Sequence, residues 1–155
     1  MAIFKIITNE DPILRKQSKK ITVVDDRSKK IIDDLFDTLY NTDTGVGLAA
    51  PQLGILKQII VIDTGEEEPF ALINPEIITS EGEKDSEEGC LSCPEDYGLV
   101  KRAERITVEA LNEDGNPVTI EAEGFLSIVL QHEIDHLKGI LFIDKATPVT
   151  KDKQV

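Results

Sequence analysis

The sequence predicts an α+β domain in which strands surround two helices. Segments with strand composition lie before and between two runs of helical periodicity, without the regular strand–helix alternation of a βαβ chain. One helical run, residues 125–137, is apolar nearly all round, which is typical of a buried helix. Residues 106–111 and 118–122 alternate apolar and polar side chains, which predicts an antiparallel hairpin with one buried face. At 155 residues the chain is expected to form a single domain, residues 1–155.

The first predicted helix begins at an acidic cap. Asp25 and Asp26 precede apolar residues at helical spacing, and this pattern continues to about Tyr40. The glycine-containing segment 41–47 then ends the helix. Residues 58–63 follow with the composition of a buried strand.

The second half of the chain begins with another strand. Residues 70–78 have strand composition, but Asn74 and Pro75 interrupt it, so an edge strand or a bend is expected there. The turn of the 106–122 hairpin lies at residues 113–116. Gly124 and Gly139 are the expected boundaries of the buried helix.

Composition excludes several classes of function. The chain has 30 acidic side chains against 17 lysines and arginines, a formal net charge of -13 at pH 7. Direct nucleic-acid binding is not expected, because it needs clustered basic side chains. No apolar run approaches the length of a membrane span, and the N-terminal apolar stretch is too short for a signal peptide. Cys90 and Cys93 alone do not form a disulfide framework, so a cytoplasmic protein with reduced thiols is expected.

The most informative motif is an H-E-x-x-H sequence inside the predicted buried helix. His132 and His136 are the only two histidines of the chain, and residues four apart lie on one face of a helix. They can therefore bind one metal ion, with Glu133 beside them as a general base. The alternative is a pair of core histidines satisfied by hydrogen bonds, which the spacing and the intervening glutamate make less favoured.

Two histidines leave a catalytic metal site one protein ligand short, because such sites use three protein ligands and keep a fourth position open. Cys90 is the predicted third ligand. Together with Cys93 it also forms a C-x-x-C motif, which leaves open a closed four-ligand structural zinc site or a thiol–disulfide redox pair. A structural site would leave Glu133 without a role, and a redox pair would leave the histidines without one.

A third segment, residues 45–52, is rich in glycine and alanine. Gly45 and Gly47 permit backbone conformations and close approaches that other residues disfavour. Gln52 offers an uncharged amide that can donate to a developing oxyanion. The competing interpretation is a glycine-rich turn that leads into a strand of small residues.

Together the three segments resemble the peptide deformylase family. Its motifs G-x-G-L-A-A-P-Q, E-G-C-L-S and Q-H-E-x-D-H occur intact and in order at residues 45–52, 88–92 and 131–136. The resemblance spans roughly residues 10–145. It implies an α+β fold of antiparallel sheets packed around a central buried helix that carries the H-E-x-x-H motif. It also implies a metal-dependent hydrolase that removes the formyl group from the N-terminal formyl-methionine of nascent polypeptides and releases formate.

The resemblance implies roles for individual residues. Cys90, His132 and His136 would hold one divalent metal, Fe(II) in many members of the family, although zinc, nickel or cobalt also suit this donor set. Glu133 would shuttle the proton. The Gln52 side chain and the Leu91 N–H would stabilise the oxyanion, and the substrate would lie as a strand against Val46, Gly47 and Gly89.

The resemblance also implies two supporting features. A methionine pocket would be formed partly by Phe125, Ile128 and Val129, and Glu88 and Arg102 would form a supporting ion pair.

Two features depart from the family pattern. Cys93 stands where many members have an apolar residue, which places a second thiol close to the metal. After Asp144 the basic residues are Lys145, Lys151 and Lys153 alone, so the basic C-terminal helix through which some members dock on the ribosome is not expected. The protein is expected to be a monomer. The rival functions are a zinc endopeptidase of the H-E-x-x-H type and a structural zinc module without catalysis.

Overall fold

The computed structural model describes residues 3–8 and 10–148. Within them are two α-helices, α1 (Asp26–Tyr40) and α2 (Gly124–Leu137). The strands are β1 (Gly47–Ala49), β2 (Ile59–Ile62), β3 (Phe70–Glu81), β4 (Lys84–Cys90), β5 (Cys93–Arg102), β6 (Arg105–Leu111), β7 (Pro117–Glu123) and β8 (Thr147–Pro148). Three short 3-10 helices also occur, at Pro12–Arg15, Ala50–Leu53 and Phe142–Asp144. The predicted α+β class is confirmed.

The strands form two antiparallel sheets. The larger sheet has the strand order β1-β2-β3-β6-β7, and the smaller one has the order β4-β5-β8. The predicted hairpin is the β6–β7 pair, in which Ile106 lies opposite Ala122 and Val108 opposite Ile120. Strand β1 forms one edge of the larger sheet, because it pairs with β2 alone.

Helix α1 begins where the acidic cap predicts it. The Asp25 carboxylate accepts hydrogen bonds from the backbone N–H groups of Arg27 and Ser28, and the Ser28 hydroxyl accepts from the Asp25 N–H. This reciprocal box satisfies donors that the first turn of a helix leaves unpaired. The apolar face of α1 then packs on β2 in a cluster that includes Ile32, Leu35, Leu39, Ile59 and Val61.

The interruption at Asn74 is a bulge inside a continuous strand. Asn74 has a positive φ of 54°, and the register with β6 shifts between Ile73 and Glu76. Its side-chain amide stabilises this conformation by bonding both the N–H and the C=O of Ile21, each at 2.8 Å. The predicted bend is confirmed. The alternative of an edge strand is wrong, because β3 pairs with β2 on one side and β6 on the other.

Helix α2 has two differently composed sides. Its buried apolar residues, including Val129, Leu130, Ile134 and Leu137, pack in a cluster with residues of β1, β2, β3 and β6. Its polar side chains bond toward β4, β5 and the residue that follows β5. Phe125 departs from the predicted full burial, because at 48% exposure it lies at the open end of a cleft. The helix ends before Gly139, where φ is 76° and a Cβ would lie 2.4 Å from the Arg15 carbonyl oxygen.

The β4–β5 hairpin carries a segment for which the sequence predicts little regular structure. Gly82, Gly89 and the acidic run around Glu88 suggest a loop or a strand end. The strand end is confirmed, because Glu88–Cys90 are the last residues of β4, but the whole of residues 84–90 forms a strand paired with β5. The inward positions of β4 are Ser86 and Glu88, so apolar alternation gives no signal there. No helix among the described residues is long and apolar enough to cross a membrane. Lys151 and Lys153, on which the ribosome-docking expectation depends, lie outside the described residues.

Candidate active site

A cleft of about 530 Å³ lies between β1, the end of β4 and the first turns of α2. It brings together most of the residues that the sequence analysis singles out, which are distant in the chain. Its lining includes all six predicted substrate-binding residues, Val46, Gly47, Gly89, Phe125, Ile128 and Val129, together with Gln52, Glu88, Cys90, Leu91, His132 and Glu133. His136 and Arg102 lie behind this lining and contact its members Cys90 and Glu88, and Asp135 contacts Arg102 in turn.

Three predicted ligands converge at the floor of the cleft. Cys90 ends β4, and His132 and His136 project from α2 one turn apart. One potential ligand atom from each residue lies within 4.8 Å of the other two, and the Cys90 Sγ is 3.3 Å from the His136 Nε2. The His132 Nδ1 bonds the Glu88 carboxylate at 2.9 Å, which leaves its Nε2 as the ligand atom. A thiolate and two imidazoles suit a divalent transition metal.

The electrostatics of the three side chains are compatible with metal binding. Burial, aided by His132 and Arg102, lowers the pKa of His136 well below its ordinary value, so the ring is neutral and its lone pair is available. The hydrogen bond with Cys93, burial and the charge of Glu133 raise the pKa of the Cys90 thiol. A bound cation reverses this preference, because a coordinating thiol loses its proton. The residues present therefore fit a metal ion.

Glu133 is buried beside these side chains, and its Oε1 has no hydrogen-bond partner within residues 3–8 and 10–148. Burial raises the pKa of Glu133 to about 7, although the neighbouring His132 opposes this shift. Gly47 permits the carboxylate to lie against β1, because a Cβ at that position would be 2.9 Å from the Glu133 Oε2. A carboxyl group with a free oxygen and a pKa near neutrality is suited to accept and return a proton.

The Gln52 side chain is fixed beside the thiol. Its Oε1 accepts from the Ala49 N–H at 3.0 Å, and its Nε2 donates to the Ser92 hydroxyl at 3.0 Å and lies 3.8 Å from the Cys90 Sγ. One amide hydrogen is thus held by Ser92 and the other faces the ligands. Leu91 lies half-buried in the same lining. Ser92 was not predicted as a site residue; its one signal was its place in the E-G-C-L-S segment.

Behind His132 lies a buried ionic network. The Arg102 guanidinium donates to Glu88 through Nε and Nη2, both at 2.8 Å, and to the Asp135 carboxylate through Nη1 at 2.7 Å. Lys145 contacts the same Asp135 oxygen at 3.0 Å. The structure thus contains the predicted Glu88–Arg102 ion pair. Asp135 and Lys145 were missed, and only the aspartate of Q-H-E-x-D-H gave a sequence signal.

The network makes the free energy of unfolding depend on pH in the acid range. Burial alone would raise the pKa of Glu88, but hydrogen bonds from Arg102 and His132 outweigh it and lower the pKa from 4.5 to about 2. A lowered carboxyl pKa contributes stability that is complete above pH 4.5 and is lost as the pH falls toward 2. We expect the free-energy difference between wild type and Glu88→Gln to shrink by about 3 kcal/mol over this interval. Urea unfolding at several pH values measures it, and parallel curves for the two proteins would contradict this assignment.

Comparisons with known proteins agree with this site. The sequence model of the polypeptide deformylase family matches residues 3–152. Peptide deformylase 2 of Clostridium acetobutylicum is 53% identical over 151 residues, which cover 97% of this chain and 100% of that protein. Peptide deformylase of Natranaerobius thermophilus is 50% identical over 155 residues and covers 99% of each chain.

Solved structures show the same likeness in three dimensions. The crystal structure of a peptide deformylase from Legionella pneumophila superposes with a TM-score of 0.90 at 48% identity, covering 95% of this chain and 88% of that one. The peptide deformylase from Thermotoga maritima gives a TM-score of 0.90 at 44% identity, covering 96% of this chain and 100% of the other. With the family match over nearly all its residues and the convergent Cys-His-His group, the chain belongs to the polypeptide deformylase family.

Proposed function

We propose that this protein removes the formyl group from the N-terminal formyl-methionine of nascent polypeptides and releases formate, as a metal-dependent hydrolase. The observation that carries the proposal is the convergence of Cys90, His132 and His136 beside Glu133, whose buried Oε1 has no hydrogen-bond partner in the described part of the chain. Residues 1–155 act as one catalytic domain, and α2 is the central helix that carries the H-E-x-x-H motif.

The three convergent side chains are the proposed ligands of one divalent metal. Fe(II) is the proposed native ion, and zinc, nickel or cobalt suit the same donors. A metal held there supplies Lewis acidity and water of lowered pKa at the cleft floor. Among the described residues, the convergent group contains Cys90 but not Cys93. This favours a three-ligand catalytic site over a closed four-ligand structural site.

The chain's own groups then move the proton and stabilise charge. The Glu133 Oε1 accepts a proton from the water that attacks the formyl carbon, and Glu133 returns it to the leaving amine. The Gln52 amide and the Leu91 backbone N–H donate to the formyl oxygen as it becomes anionic. Loss of one such donor typically costs about 10²–10³ in rate. The contact between Gln52 and Ser92 supports this role, because it orients the amide without consuming both hydrogens.

The cleft is also suited to an extended substrate. Strand β1 is an edge strand, so an added peptide can pair with its free side near Val46 and Gly47 while Gly89 bounds the opposite wall. The methionine side chain enters the apolar part of the cleft. The proposed lining of that part is Phe125, Ile128 and Val129. The ion pair of Glu88 and Arg102 supports His132 from behind.

We further propose that the protein is a cytoplasmic monomer of bacterial type that acts near the ribosome. Its net charge of -13 disfavours direct nucleic-acid binding. The endopeptidase and structural-module alternatives receive no support from the family match, which covers residues 3–152.

The test is purification without oxygen, followed by metal analysis and assay of formate release from formyl-methionyl peptides. We expect one metal per chain and one formate per newly exposed amino terminus. The matched control is the same peptide with an N-terminal acetyl group, which the protein should leave intact. Internal cleavage without formate would indicate an endopeptidase. Unfolding on chelation, with no hydrolysis of any peptide, would indicate a structural module.

The two thiols lead to a prediction about oxidation. Cys90 and Cys93 are direct partners in the β4–β5 register, and opposed antiparallel residues have Cα atoms roughly 4.5–5.5 Å apart, within reach of a disulfide. Peroxide should oxidise the Cys90 thiolate to a sulfenic acid. The Cys93 thiol then attacks the Cys90 sulfur, water leaves, and the resulting disulfide releases the metal. We also expect the iron form to lose activity in air faster than the zinc or nickel form, because zinc has no redox chemistry.

Mass spectrometry of peroxide-treated enzyme distinguishes the outcomes. A Cys90–Cys93 disulfide that dithiothreitol reverses is expected in the wild type. The variant Cys93→Ser should instead accumulate irreversible sulfinic or sulfonic acid on Cys90. Wild-type enzyme with those acids on Cys90 and an untouched Cys93 would contradict a protective role for the second thiol.

A further inference from the structure

Four side chains form a chain of hydrogen bonds that begins and ends on α2, so the helix backbone closes it into a ring. Glu88, Arg102 and Asp135 are buried, and His132 is half-buried. The His132 Nδ1 bonds Glu88 at 2.9 Å, Glu88 receives two bonds from Arg102 at 2.8 Å, and the Arg102 Nη1 reaches Asp135 at 2.7 Å. His132 and Asp135 are three residues apart on the helix, so they lie on one face. Two of the four residues in the ring therefore belong to α2, and the other two belong to β4 and β5.

The ring joins the two structural units that supply the metal ligands. Cys90 comes from the β4–β5 hairpin, two residues beyond Glu88, whereas both histidines come from α2. The hairpin belongs to the three-stranded sheet, and α2 packs its apolar side on the five-stranded one. The position of the thiol relative to the histidines thus depends on contacts between hairpin and helix. The ring provides two of them, His132–Glu88 and Asp135–Arg102, and the Glu88–Arg102 pair joins these two within the hairpin.

Asp135 is the link of the ring that no catalytic role explains. Its carboxylate bonds Arg102 and Lys145, and it is absent from the lining of the cleft. The Arg102 side chain is only 2% exposed, so loss of Asp135 would leave a buried guanidinium N–H without its carboxylate. Such groups carry a substantial desolvation cost and reorient toward another acceptor. Glu88 would move with Arg102, because the two are joined by a bidentate pair.

We propose that Asp135 is a positioning residue that closes this ring and thereby holds Cys90 in register with His132 and His136. The inference rests on the proposed function only for the presence of a metal at these three residues. Lys145 lies outside the ring, because it touches Asp135 from the partly exposed side. It compensates charge there and does not complete the path from helix to hairpin.

The test measures Co(II) affinity and the cobalt–thiolate absorption band, starting from metal-free protein. Asp135→Asn keeps the shape of the side chain and removes its charge. It should weaken Co(II) binding about 10-fold and shift the thiolate band. This magnitude is the lower end of the loss in metal affinity that follows when a residue bonded to a metal ligand is removed. Lys145→Met should change the affinity less than about 2-fold. The control is Asp144→Asn, which makes the same chemical change in a more exposed ion pair, with Arg15, outside the ring and should leave cobalt binding unchanged.

A second variant keeps the test decisive if Asp135→Asn is insoluble. Arg102→Lys opens the same ring at the next link, because an ammonium group does not make the bidentate pair with Glu88. It should weaken Co(II) binding at least as much, and the double variant should be no weaker than Arg102→Lys alone, since a ring opens once. The inference would be overturned if the losses of Co(II) affinity in the two single variants added up in the double variant. It would also be overturned if Asp135→Asn bound Co(II) with wild-type affinity, or if Lys145→Met lost as much affinity as Asp135→Asn. Wild-type protein that binds no cobalt would overturn the metal site itself and the proposed function with it.

Discussion

Glu133→Gln is expected to retain a full complement of metal and to lose turnover by about 10²–10⁴-fold, the usual contribution of a general acid–base group. Glu133 follows His132 and therefore lies about 100° round the helix, beside the face that carries the ligands. It is not a member of the convergent Cys-His-His group, and its Oε1 has no hydrogen-bond partner among the described residues. The glutamine side chain has nearly the same volume but does not accept and return a proton.

The measurement is metal content by elemental analysis together with kcat for a formyl-methionyl peptide. Glu109→Gln is a suitable control, because it makes the same chemical change at an exposed position of β6, outside the cleft. It should keep both metal and activity. If metal content fell in parallel with activity in Glu133→Gln, Glu133 would be a ligand and its assignment as the general base would be wrong.

The elements that the sequence predicted are those in which burial and hydrophobicity coincide. Helix α1 and the β6–β7 hairpin place apolar side chains at the inward positions of a regular period, and strand β2 is apolar and buried throughout. The β4–β5 hairpin breaks this rule. Ser86, Glu88 and Arg102 are buried there, and the charged groups of Glu88 and Arg102 are satisfied by contacts with α2 and with each other. A periodicity argument therefore has no apolar pattern to detect.

Some parts of the site also follow from local sequence patterns, and others depend on contacts between distant residues. The convergence of Cys90, His132 and His136 was predictable, because the two histidines lie in one helical turn and a catalytic metal site needs a third protein donor. The supporting contacts were harder, since Arg102 and Asp135 are 33 residues apart and Gln52 and Ser92 are 40 apart. Their pairing depends on how the β4–β5 hairpin packs against α2, which local sequence does not specify. Cys93 shows this too: the C-x-x-C spacing allowed it as a fourth ligand, whereas its buried side chain packs in a cluster with Leu14 and Phe142.

Cys90→Ser and Cys93→Ser are expected to differ sharply in metal binding. Cys90 supplies the one thiolate of the convergent group, and a neutral hydroxyl is a poor replacement for a soft anionic donor. We expect its substitution to weaken metal affinity by at least about 100-fold, more than the effect of removing an outer partner of a ligand. Activity in the presence of stoichiometric metal should fall in proportion.

Cys93→Ser should instead keep one metal per chain and most of the activity. Its thiol is fully buried in an apolar cluster, so the polar hydroxyl should lower the free energy of unfolding by about 1–3 kcal/mol. Metal titration and thermal unfolding of both variants separate these two effects. Equal metal loss in the two proteins would mean that both sulfurs are ligands. The site would then be closed, with no open position for water, and the role of Glu133 as a general base would fail with it.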